Sequence, residues 1–222
     1  FVGSPNAPAV IENMCGDLTV QGCAVRGGGA GTGIRVTDAA TATIRFCDVS
    51  ECRAHGIAVQ RQAHCAVEKC HVFRSQCGVL VGDLGSQAAL RSCCLQLNNQ
   101  AGLVVHSHGS VLVDDSDVSR NAVAGIALSL HARAVLAATK VCNNRKAGVC
   151  LSEESAASLR SCDLRGNAGR PLLRSASCEQ LVELDHTPLD APDPFPAPSE
   201  KEAASGGRGG LGGGGRPVPG VG

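Results

Sequence analysis

Three groups of residues have the types and spacing to do chemistry. The first is cysteine, with 13 in 222 residues. Thiolates bind soft metals and form disulfides, but no Cys-x-x-Cys pair occurs, so no metal site and no metal are expected from them. The second is histidine. His106, His108 and His131 lie near one another in sequence, and His108 and His131 are spaced so that a stacked repeat would bring them together. Such a pair suits a metal site or an exposed polar turn, and the turn is the expectation. The third is the acidic cluster Asp114, Asp115 and Asp117. Clustered carboxylates suit Ca²⁺, and paired ones suit glycoside hydrolysis. On a strand, however, Asp114 and Asp115 face opposite ways. No catalytic residue and no cofactor are expected.

What positions these groups is a repeat. Glycine followed by apolar-x-apolar occurs at Gly33, Gly56, Gly78, Gly102, Gly125 and Gly148, in steps of 22 to 24 residues. Eight or nine residues further on comes apolar-x-x-small-x-apolar, starting at Ile44, Val67, Leu90, Val113, Leu136 and Leu159, with an earlier copy at Val20. Its small position holds Cys23, Cys47, Cys70, Cys93, Ser116, Thr139 and Cys162. Three residues after the closing apolar position stand Cys52, Ser75, Asn98, Asn121, Asn144 and Asn167. No stretch has room for a helix of 3.6-residue period. Short β-branched segments joined by tight turns at a fixed period describe an all-β parallel β-helix of about seven coils of 23 residues. At one strand spacing per coil the rod is roughly 30–35 Å long.

This frame gives each group a structural role. The stacked small column suits buried, reduced thiols better than disulfides, and reduced thiols point to an intracellular location. Asn98, Asn121, Asn144 and Asn167 form an asparagine ladder. The repeat glycines supply a positive φ or a close backbone approach. The column Arg45, Glu68, Arg91, Asp114, Ala137, Arg160 alternates in charge, which favours a charge ladder over catalysis at Asp114. A leucine-rich repeat is the architectural runner-up. It is disfavoured because the apolar residue it needs after the Asn is Gln100, Val123 or Lys146.

The string Asn-x-x-x-Gly-Ile-x-Val with apolar-x-x-Cys-x-Val resembles the right-handed β-helix repeats of F-box-only ubiquitin-ligase subunits. More distantly it is similar to carbohydrate-active β-helix proteins such as alginate epimerases and polysaccharide lyases. The resemblance covers about residues 15–170. It implies the fold, and it implies function only weakly, since its motif residues are the scaffold itself.

Composition bounds the function. There are 20 basic and 20 acidic residues, four Phe, and no Trp or Tyr. A neutral chain without stacking platforms is a poor nucleic-acid binder, and no apolar run is long enough for a membrane span. The missing aromatics also disfavour a sugar groove. The chain opens at Phe1 with no signal-peptide pattern, which suggests a piece of a longer product. Residues 1–16 read as a lead-in, 17–170 as the β-helix, 171–186 as a C-terminal cap and 187–222 as a disordered Pro/Gly-rich tail. Leu80, Val104 and Ala127 fall on an outward apolar stripe, which suits a docking face for a protein partner or a surface covered by the cap or tail, and the docking face is the expectation. The expected function is therefore a non-enzymatic interaction scaffold, in a ubiquitin-ligase-type context. The rival is a carbohydrate-active lyase, epimerase or hydrolase.

Overall fold

A computed structural model describes residues 1–178 and 182–187; the expected tail, from residue 188 on, lies outside them. Each coil contributes strands to three parallel sheets. The first sheet takes the glycine strands, in the order Ala9–Asn13, Thr32–Val36, His55–Val59, Cys77–Gly82, Ala101–His106, Ala124–Leu128, Ala147–Leu151 and Leu172–Arg174. The second takes Asp17–Gln21, Thr41–Arg45, His64–Glu68, Gln87–Arg91, Ser110–Asp114, Arg133–Ala137, Ala156–Arg160 and Val182–Asp185. The third is built of three-residue strands from Ala24–Arg26 to Asp117–Ser119 and continues by single bridges through Lys140 to Asp163. Among the described residues the one helical element is the 3₁₀ turn Ala176–Cys178.

Among the described residues the stack has eight coils, one more than the seven expected and two more than the glycine motif counts. In the eighth, Pro171 stands where glycine is expected. Its carbonyl accepts the Val149 N–H at 2.9 Å, and Leu172–Arg174 then joins the first sheet. Residues 171–186, expected as a cap, thus also carry two strands that extend the stack. Within the lead-in, Ala9–Asn13 already pairs with Thr32–Val36.

The apolar-x-x-small-x-apolar block is bent into two strands, where period-2 reading gives one. The bend is one residue in the left-handed region: Phe46, Lys69, Ser92, Asp115, Ala138 or Ser161, at φ of 46–53°. Left-handed backbone costs a non-glycine residue roughly 1–2 kcal/mol. The next side chain offsets this by donating to the carbonyl two residues back. Cys47 Sγ reaches Arg45 O at 3.1 Å, Cys70 Sγ reaches Glu68 O at 3.2 Å, and Ser116 Oγ reaches Asp114 O at 2.8 Å. That bond explains why the column admits Cys, Ser and Thr alike.

The core is a narrow prism of stacked aliphatic columns. Ile34, Ile57, Val79, Leu103, Ile126, Val149 and Leu172 line the first sheet; Ile44, Val67, Leu90, Val113, Leu136 and Leu159 line the second; all are fully buried. All 13 cysteines are free and eight of them are buried. Burial pushes the Cys65 and Cys70 thiols up to about 12. At the corner after the third sheet the asparagine ladder is present. Asn98, Asn121 and Asn144 each donate Nδ2 to the next Oδ1, at 3.0, 3.1 and 3.0 Å. The repeat glycines serve close approach, since none has a positive φ. A Cβ on Gly102 would stand 2.5 Å from Val118 Cγ1 and 2.8 Å from Asn121 Nδ2.

Candidate functional site

A strand that buries its second and fourth residues turns its first, third and fifth outward. On the second sheet the register is unbroken, so those outward positions become three straight columns. The first reads Thr41, His64, Gln87, Ser110 and Arg133. The middle reads Thr43, Ala66, Ala89, Leu112 and Val135. The last reads Arg45, Glu68, Arg91, Asp114 and Ala137.

Where the middle residue is alanine, at Ala66 and Ala89, the face is hollowed into a trough. It is an open groove of about 440 Å³ over four coils, lined from Thr41–Thr43 through His64–Ala66 and Gln87–Ala89 to Ser110–Leu112. A second hollow of about 280 Å³ on the same sheet, lined by Arg133–Val135, Ala156–Ser158 and Glu183, continues its line. Leu112 and Val135 expose 40% and 41% of their surface on the floor.

The charged column runs parallel to the groove, one outward position beyond the residues that line it. Arg45 Nε lies 2.9 Å from Glu68 Oε2, and register sets Arg91 beside Glu68 and Asp114. Arg160 and Asp185 are register partners two coils further on. This is the charge ladder read from the sequence. An exposed pair of this kind adds at most about 1 kcal/mol to stability, so the ladder's main effect is the pattern of charge it offers to solvent.

On the other side, past the first column, lie the turns from the first sheet to the second. There the His108 and His131 rings stack at 4.8 Å and 9°, and His131 Nδ1 stands 3.5 Å from Glu154. Their spacing in the sequence gives this stack directly. Parallel rings do not converge on a point, and among the described residues no three of His, Cys, Asp and Glu are placed to hold a metal ion. Asp114 borders the groove, while Asp115 sits in the left-handed bend, its carboxylate taking the Ser92 hydroxyl at 3.0 Å. Asp117 belongs to the third sheet. The acidic cluster is thus dispersed over three settings.

The apolar stripe occupies the outer face of the first sheet. Leu80 pairs with Val104, and Val104 with Ala127, so the three residues do share a column. Little of it meets solvent: Ala58 is 1% and Leu80 7% exposed, while Val104 and Ala127 are half-buried. On the same sheet the His106 ring lies over Gly82.

The groove itself escapes a motif search. Thr43, Ala66 and Ala89 have no distinctive chemistry, and only their position one residue before the buried anchors Ile44, Val67 and Leu90 marks them.

Residues 5–141 match the family described as the right-handed β-helix region. The match spans more than half of the chain, and the chain belongs to that family. No curated protein sequence matches it. Among solved structures, the periplasmic alginate epimerase AlgG superposes with a TM-score of 0.63 at 17% identity, over 76% of this chain and 43% of that one. A point mutant of that epimerase gives 0.68 at 18%, over 78% and 45%. Pectate lyase Pel9A gives 0.56 at 12%, over 76% and 52%. The chain spans about half the length of these structures, and at such identities the likeness is one of fold.

These neighbours correct the expectation of a non-enzymatic scaffold with a protein partner. Solved proteins that share the fold include an alginate epimerase and a pectate lyase. The physical reason the sequence misled is the aromatic count. A flat, regular sheet with small central residues makes a long groove without any aromatic floor.

Proposed function

We propose that this chain is a carbohydrate-active β-helix protein whose second-sheet groove holds a polysaccharide. The observation that carries this reading is the groove's form: open, parallel to the coil axis, four coils long, and lined with hydrogen-bonding side chains. A linear polymer lies along such a trough and meets equivalent positions at each coil. Thr41, His64, Gln87 and Ser110 offer donors and acceptors on one flank, and Arg45, Glu68, Arg91 and Asp114 offer charge on the other. The likeness to alginate epimerase and pectate lyase supports the same class.

The test is binding followed by product analysis. The protein is titrated with polysaccharides of several classes, alongside Ala89→Phe, which fills the trough from an outward position. Saturable binding lost in A89F supports the reading. NMR of the treated polymer then separates elimination, epimerisation and hydrolysis. Failure of every polysaccharide to bind overturns it.

A further inference from the structure

The charge sequence along the groove specifies a kind of polymer, an inference that rests on the carbohydrate reading above. Across the four groove coils the charged flank reads plus, minus, plus, minus at Arg45, Glu68, Arg91 and Asp114. The opposite flank, Thr41, His64, Gln87 and Ser110, carries no carboxylate and no guanidinium, and the floor is uncharged. The cations stand two strand spacings apart, roughly 9.6 Å along the axis, and so do the anions.

An extended pyranose advances a chain by close to one strand spacing. Consider a polymer charged on every sugar. If its carboxylates all face one way, alternate ones meet Glu68 and Asp114, and repulsion there cancels the attraction at Arg45 and Arg91. If successive sugars turn over, the other carboxylates face the opposite flank, where no guanidinium receives them. Either way half of the polymer's charge is unmatched. A polymer charged on every second sugar has neither fault. Its anions fall at Arg45 and Arg91, as charge-assisted hydrogen bonds. Its intervening neutral sugars present hydroxyl or amide hydrogens to Glu68 and Asp114, which are acceptors only.

We propose that the groove selects an alternating copolymer, in which an acidic sugar alternates with a neutral hydroxyl- or acetamido-bearing one. The charge ladder is then a specificity element whose period is the disaccharide.

The experiment compares oligosaccharides of equal length by calorimetry at low salt: a glucuronate–N-acetylglucosamine copolymer, a polygalacturonate, an oligomannuronate and a neutral glucan. The copolymer is expected to bind about tenfold more tightly than either homopolyuronate. The double variant Glu68→Lys, Asp114→Lys makes the flank uniformly positive and is expected to reverse that order, with circular dichroism confirming the fold. If that variant fails to fold, Arg45→Gln with Arg91→Gln serves, and is expected to abolish the copolymer's advantage. A homopolyuronate or the neutral glucan binding the parent as tightly as the copolymer overturns the inference and leaves the carbohydrate reading standing. An order that neither variant changes also overturns it. Binding of none of the four overturns the carbohydrate reading itself.

Discussion

Asn121→Ala tests what holds the corner of the coil. Asn121 is fully buried and makes four side-chain bonds. Its Oδ1 accepts the Asn98 N–H at 3.1 Å and the Asn98 Nδ2 at 3.0 Å; its Nδ2 donates to Leu95 O and Asn144 Oδ1, both at 3.1 Å. Truncation does not affect these partners equally. Asn98 Nδ2 keeps Val72 O, and Asn144 Oδ1 keeps the Asn121 N–H. The buried Asn98 N–H loses its acceptor outright, which costs about 1–3 kcal/mol, and the other lost bonds add about 1 kcal/mol each. The sum is about 4–6 kcal/mol, a large part of the stability of an ordinary domain. Urea unfolding followed by circular dichroism measures it, with Asn99→Ala, an exposed neighbour, expected within about 0.5 kcal/mol of the parent. A change below about 1 kcal/mol in N121A at unchanged m refutes the reasoning, because the corner would then be held by the backbone alone.

Gly102→Val places methyls against Val118 and Asn121 in the same corner and is expected to cost about 3 kcal/mol or more by denaturant titration. With thiol reagent, exposed Cys15 is expected to label at once, and the buried set including Cys65 and Cys70 only on unfolding; equal rates would refute the raised thiol values. His55 is held below the usual imidazole range, first by burial and then by His106. A group depressed in the fold contributes stability that is complete above about pH 6.5 and is lost as pH falls through its folded value. Melting temperature is therefore expected to fall between pH 7 and pH 5, and to fall less in His55→Gln.

The repeat was legible because glycine is irreplaceable where the Gly102 Cβ would strike Val118. The asparagine column was legible because each amide serves the coil before it. The third sheet was not. Its bend residues are Phe46, Lys69, Ser92, Asp115, Ala138 and Ser161, which share no turn chemistry; the bend is held by the side chain that follows. The eighth coil was hidden because Pro171 fills the glycine position while keeping the carbonyl that Val149 needs. The charge column could be read because charge is conspicuous. The groove beside it could not, since it is made by residues whose contribution is to be small.

The fold repeats every coil, but the charge on the groove flank repeats every second coil. The two periods differ by a factor of two, and this sets a parity rule for how such a chain can change length. Removing the single coil that carries Arg91 leaves the stacking intact but brings Glu68 against Asp114. Removing the two coils that carry Glu68 and Arg91 sets Arg45 against Asp114 and keeps the alternation. Where the run shifts phase, uncharged Ala137 separates Asp114 from Arg160, and no two like charges touch. Lengthening or shortening by pairs of coils therefore keeps the pattern in phase, whereas a single-coil change needs a neutral spacer at the joint.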